Sequence, residues 1–141
     1  MGNEVQVRSS LQVNADGIVY QSQPTAFAAT MVGRKGPTPG ALTIPVGGKV
    51  IPLTELRTPG FCRVQNQDTT NYVELGLYNP GLGLFFPFME LQPGESFVFR
   101  FSRNMLEEYV GTGTGTTGPD NRLFAKANGA AVVMLIEAFE A

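Results

Sequence analysis

The 141-residue sequence contains no histidine and no tryptophan, and Cys62 is its one cysteine. Without an imidazole base, neither a Ser–His–Asp nor a Cys–His arrangement can activate a nucleophile. One cysteine and no histidine cannot fill a zinc site, so no metal and no cofactor are expected. A lone cysteine has no internal disulfide partner, and folding has no need of an oxidising compartment. Cys62 lies in the alternating run "FCRVQNQ" and reads as a buried structural thiol.

Charge is also scarce. Charged residues make up 16% of the chain, against ~25% in an average globular protein. The formal net charge is −2, and Arg34 and Lys35 are the only adjacent cations. A nucleic-acid binder needs a basic patch, so that class is set aside. The longest apolar run, residues 130–136, is far short of the ~20 residues that span a bilayer, and no membrane segment is expected. The opening "MGNEVQVRSS" has no basic or apolar leader region, which points to a soluble protein made in a cytoplasm.

What is abundant is turn chemistry: 17 Gly and 10 Pro, with many Thr, Asn and Gln. That mix suits a turn-rich β protein, and the length suits one domain over residues 1–141. In "EVQVRSSLQV" the residues Val5, Val7, Leu11 and Val13 share one face, the period-two mark of a half-buried strand. "NADG" turns it into "IVYQSQ", making an opening hairpin, and "AFAATMV" follows as another strand. Residues 33–40, "GRKGPTPG", read as an excursion outside the strands, and the Ser or Thr that a phosphate-binding loop needs after its Lys is missing. Pro45 and Pro52 place "ALTIPV" and "KVIPLTEL" at sheet edges. "FCRVQNQ" and "NYVELGLY" are expected to pair as a hairpin across "DTT", and "RLFAKAN" with "AAVVMLIEAF" across Asn128-Gly129. The last of these strands is expected to be buried on both faces.

"LQPGE" is a type II turn candidate, with Pro93 second and Gly94 third. Phe97, Phe99 and Phe101 share one strand face and read as core. Residues 103–110 form the one helix candidate, and residues 111–120 are a low-complexity Gly-Thr loop. About nine or ten short strands and at most one short helix define an all-β, antiparallel β-sandwich or jelly roll.

Glu74, Glu90, Glu95, Glu107 and Glu108 could supply a glycosidase carboxylate pair, but the Trp and His platforms of a sugar cleft are missing. "NADG" and "GPDN" are too sparse for a calcium loop. No catalytic residue is assigned, and the sequence does not read as an enzyme.

The segments "LRTPGFCRVQNQDTTNYVELGL", "FFPFMELQPGESFVFRFS" and "LFAKANGAAVVMLIEAFEA" resemble small structural proteins of tailed bacteriophages, over roughly residues 36–141. The resemblance rests on residues 66–76, 85–88, 91–95 and 123–128 and carries no catalytic motif. It implies a virion component assembled in the host cytoplasm, with head decoration or cement as one station and neck, tail or fibre as others. The implied partners are copies of the chain, with a trimer favoured, and the major capsid or another virion protein.

Contact segments are expected at residues 33–40 (Arg34, Lys35, Pro37, Pro39), in "LFFPF" (Phe85, Pro87) and in residues 111–120 (Thr114, Thr116, Pro119). In "LFFPF" both strand faces are apolar. One is expected to enter the sandwich and the other to need a cover. The alternative class is a lectin-like module, with Tyr72, Tyr78 and Tyr109 stacking on sugars and Asn79, Asn104 and Asn121 nearby.

Overall fold

Twelve strands and no helix occupy the residues described by the computed structural model, namely 2, 4–53, 55–56, 59–102 and 122–140. The first four strands are β1 (Val5–Ser9), β2 (Gln12–Ala15), β3 (Ile18–Gln21) and β4 (Thr25–Ala29). The other eight are β5 (Thr38–Ile44), β6 (Lys49–Val50), β7 (Phe61–Asn66), β8 (Val73–Asn79), β9 (Leu84–Leu91), β10 (Ser96–Arg100), β11 (Arg122–Ala127) and β12 (Val132–Ala138). The helix candidate at 103–110 and the Gly-Thr loop at 111–120 lie outside the described residues.

The eight later strands form two antiparallel sheets, ordered β10-β7-β12-β5 and β6-β11-β8-β9. Counted along the chain from β5, these orders are sixth-third-eighth-first and second-seventh-fourth-fifth, the strand order of a jelly roll. All the chain connections between these strands cross from one sheet to the other, except that between β8 and β9.

This connectivity corrects the hairpins expected across residues 68–70 and 128–129. β7 pairs with β10 and β12, whereas β8 pairs with β9 and β11. Likewise β11 and β12 lie in opposite sheets, although Asn128-Gly129 reverses the chain and Gly129 has φ 81°. Turn residues fix a reversal, but the sheet on which the next strand lands follows from where its apolar face is buried.

That burial is clear in the core. Ile44, Cys62, Val64, Val132, Met134 and Ile136 face Val73, Leu75, Leu91, Leu123 and Ala125 across the two sheets, all buried. Each large side chain sealed there contributes about 1.5–3 kcal/mol. In β12 only alternate residues are buried, and Val133 is 40% exposed. The expectation of burial on both faces is therefore overturned, because the outer side of this central strand faces solvent.

Pro45 directly follows β5 and Pro52 lies two residues past the end of β6, each an edge strand, so neither proline takes a donor from a ladder. Gln92 accepts a hydrogen bond from the Glu95 N–H (3.0 Å) around Pro93 and Gly94, whose φ of 83° fits the type II turn.

The N-terminal strands form a separate ribbon. β1 pairs with β4 and β2 with β3, and none of the four pairs with either sheet. Ser22 N–H donates to the Leu11 carbonyl (2.8 Å) and Leu11 N–H to Ser22 Oγ (2.7 Å), joining the two ladders. "EVQVRSSLQV" is thus two strands rather than one. The Ser9↔Thr25 pair and the Leu11–Ser22 bonds leave one extra residue on the partner side, where Pro24 has no N–H to give.

Candidate functional site: the open seam between the sheets

β9 and β10 are edge strands of opposite sheets, and the Gln92–Glu95 turn joins them. Between them the sandwich stays open as a groove of about 670 Å³, lined chiefly by Phe88, Met89, Leu91, Phe97, Phe99 and Phe101. Phe101 is buried and Phe99 half-buried, whereas Phe97 is 50% exposed. The three rings form a graded row, with centroids 6.1 Å apart for Phe97–Phe99 and 5.0 Å for Phe99–Phe101. The reading of all three as core holds only for the inner end, because among the described residues β10 has no neighbouring strand beyond it.

The "LFFPF" strand is shaped by a bulge. Leu75 pairs with Met89 and Gly76 with Pro87, which leaves Phe88 as the extra residue of β9. Phe85 packs on the outer side against Phe124 (5.1 Å), and Tyr78 stacks on the same ring (4.8 Å, 23°). The chain therefore covers the Phe85 face itself. Leu84, Phe86 and Phe88 are 49%, 52% and 57% exposed, and theirs is the uncovered face.

The expected contact residues do not converge. Arg34, Lys35 and Pro37 are exposed on a segment laced to the end of the last strand. There Val32 and Gly33 N–H donate to the Glu140 carbonyl (2.8 and 3.3 Å), and Glu140 N–H donates to that of Lys35 (3.2 Å). Residues 38–40 belong to β5, so the excursion expected over 33–40 ends earlier. Pro39 is half-buried opposite Glu137. Phe85 is half-buried, Pro87 is exposed, and Thr114, Thr116 and Pro119 lie outside the described residues.

Tyr78, named as a sugar platform, already has its ring against Phe124, and Tyr72 is half-buried. Asn79 Oδ1 accepts the Leu82 N–H (3.1 Å), while Asn104, Tyr109 and Asn121 lie outside the described residues. Glu74 and Glu90 are cross-strand neighbours on the outer sheet face, with Lys126 opposite Glu74 on its other side. Glu90 Oε2 accepts a hydrogen bond from Gln92 Nε2 (2.6 Å) and Glu95 Oε2 one from the Gln92 N–H (2.8 Å). Glu107 and Glu108 lie outside the described residues. Among the described residues no group of three or more His, Cys, Asp or Glu side chains could hold a metal ion.

Exposed apolar side chains also lie outside the expected contact segments. Around the Asp16-Gly17 turn, the β2–β3 hairpin exposes Leu11 (61%), Ile18 (59%) and Tyr20 (53%) on one face and Val19 (86%) on the other. The half-buried strand expected from Val5, Val7, Leu11 and Val13 is thus corrected at Leu11, because the ribbon lies beside the sandwich without entering it. Its link to the body includes Phe27, whose ring lies 5.8 Å from that of Phe61. The Arg100 guanidinium sits over the same Phe61 ring at 4.2 Å. The available signal was "IVY" beside "LQV", two apolar-rich runs with no third strand to cover them.

Cys62 is buried on the inner face of β7. Burial, and then the negative charge of Glu137, push its thiol up to about 12, so the thiolate nucleophile is absent near neutral pH. A thiol reagent added at mildly alkaline pH is expected to leave the native protein unlabelled and to label it fully in denaturant. Rapid native labelling would show that the strand opens locally.

Among the described residues the molecule thus defines a class: an eight-stranded jelly roll carrying a β-ribbon, with exposed apolar side chains on the seam and on the hairpin. No protein-family model, curated protein or solved structure matches the chain.

Proposed function

We propose that the protein is a non-enzymatic structural subunit of a tailed-phage particle, a head decoration or cement protein that self-associates, as a trimer, and binds the major capsid protein. Neck, tail or fibre is the alternative station. The observation that carries the reading is the extent of uncovered apolar surface, on the seam and on the hairpin, in so small a domain. Contiguous patches of this kind mark contact with other proteins. The resemblance of residues 36–141 to phage structural proteins supplies the particle, since a fold alone does not give a function. Jelly rolls also serve as lectins, but here the stacking of Tyr78 on Phe124 removes one of the proposed sugar platforms.

Immunogold labelling with antibodies against the protein tests the reading on particles purified from a lysate of the cells that make it. Label on the heads is expected. Label confined to tails would move the station, and label on no particle would overturn the reading.

A further inference from the structure

We propose that the β1–β4 ribbon is a latched arm that opens from the sandwich as a unit, with Phe61 as its seat and the junction of Met31 and Val32 as its hinge.

Phe61 is buried, yet it stands outside the core. Alternation along β7 puts Cys62 and Val64 between the sheets and Phe61 on the outer side, where a side chain ordinarily meets solvent. Its cover comes from the ribbon and from β10. The Phe27 ring lies 5.8 Å from it, and the Arg100 guanidinium sits 4.2 Å above it. The ribbon is sided to match. Val5, Val7 and Ala29 share the face of Phe27 and are half-buried, whereas Gln6, Arg8, Ala26 and Ala28 on the other face are exposed.

The remaining connection is slight. Among the described residues, no ribbon strand shares a ladder with a sandwich strand or lies along one. Hydrogen bonding passes from ribbon to body between two consecutive residues. Met31 N–H donates to Glu4 Oε2 (3.2 Å), beside β1, and Val32 N–H donates to the Glu140 carbonyl (2.8 Å), just past β12. Rotation at that junction moves the arm and keeps both bonds. The sandwich core is complete without the arm, because every residue of it comes from Leu42 onward.

A two-stranded ladder by itself is marginal in water. Off its seat the ribbon therefore loses protection while the jelly roll keeps its own, a local opening that lies below global unfolding in free energy. The latch thus allows the β2–β3 hairpin to change position with the body intact, whatever the protein assembles with.

Hydrogen exchange of the full chain, read by mass spectrometry, tests the latch. In the unaltered protein the β1–β4 ladder amides are expected to exchange faster than those of the β8–β11 ladder. Phe61→Ala alters only the body side of the contact. It is expected to speed β1–β4 exchange a further fivefold to tenfold or so, the worth of an aromatic pair, and to leave β8–β11 unchanged. Phe27→Ala replaces it if Phe61→Ala does not fold, since the Phe27 ring is half exposed and lies outside the core. Equal exchange of the two ladders in the unaltered chain would overturn the proposal, because the ribbon would then open only with the whole domain. So would a variant that leaves β1–β4 exchange unchanged, or one that speeds both ladders alike.

Discussion

Gly76→Ala is expected to lower the unfolding free energy by about 3 kcal/mol, the upper range of an overpacking change. The reason is space, not backbone conformation. β8 lies between β11 and β9, and at Gly76 the bulge draws β9 unusually close. A Cβ built there would meet the Phe86 carbonyl oxygen at 2.2 Å and the Pro87 Cα at 2.6 Å. Both are backbone atoms, so no side chain can rotate away, and β9 must shift or let its ladder lengthen. A urea titration should show the lowered midpoint, and amide exchange should quicken in β9 before it does in β12. Because β9 carries Phe86 and Phe88, self-association should weaken too. A cost below about 0.5 kcal/mol, the range of an ordinary surface change, would mean that the two strands are not held at this approach.

Asn66→Leu is expected to cost a similar amount, also about 3 kcal/mol, through unmet hydrogen bonds instead of crowding. Asn66 is fully buried at the end of β7, and its side chain ties the two sheets together. Its Nδ2 donates to the carbonyls of Asn71 (2.9 Å) and Leu91 (3.0 Å), and its Oδ1 accepts the Asp68 N–H (2.8 Å). Leucine keeps the same branching and number of side-chain heavy atoms, is somewhat larger, and leaves all three backbone groups without this partner, each at about 1–3 kcal/mol where no water reaches. Asp68 continues the device on the surface side. Its carboxylate accepts the N–H groups of Asn71 and Thr70, which hold its carboxyl below the usual range. Asn66→Asp separates hydrogen bonding from volume, since it keeps the shape and one acceptor and loses both donated bonds. Thermal melts of the two variants should fall together. A stable Asn66→Leu protein would show that the crossover between β7 and β8 is held by packing alone.

Those same residues show where the sequence is legible and where it is not. Asp68 to Thr70 are visible as a turn, and the chain does leave β7 there, with Asn66 and Asn71 read as ends of the flanking strands. The expected hairpin is nevertheless absent, because β7 and β8 bury their apolar faces against each other across the core and lie in opposite sheets. Asn128-Gly129 repeats the lesson. The aromatic strands divide in the same way. Alternation shows which of Leu84, Phe85, Phe86 and Pro87 share a face, but it cannot say which face is covered. That was settled by Phe124, brought beside Gly76 from a strand far along the chain, whose ring takes up Tyr78 and Phe85.

By itself, then, the sequence determined the all-β class, the approximate places of the strands, the positive-φ turn at Gly94 and the edge positions beside Pro45 and Pro52. These follow from φ/ψ preference and period-two burial, which act within a few residues. Only the tertiary structure decided the jelly-roll pairing, the bulge at Phe88, the bonding of Asn66 and the exposure of the seam and hairpin. Each depends on which distant strand arrives alongside, and burial of the combined faces selects that strand where no local preference can.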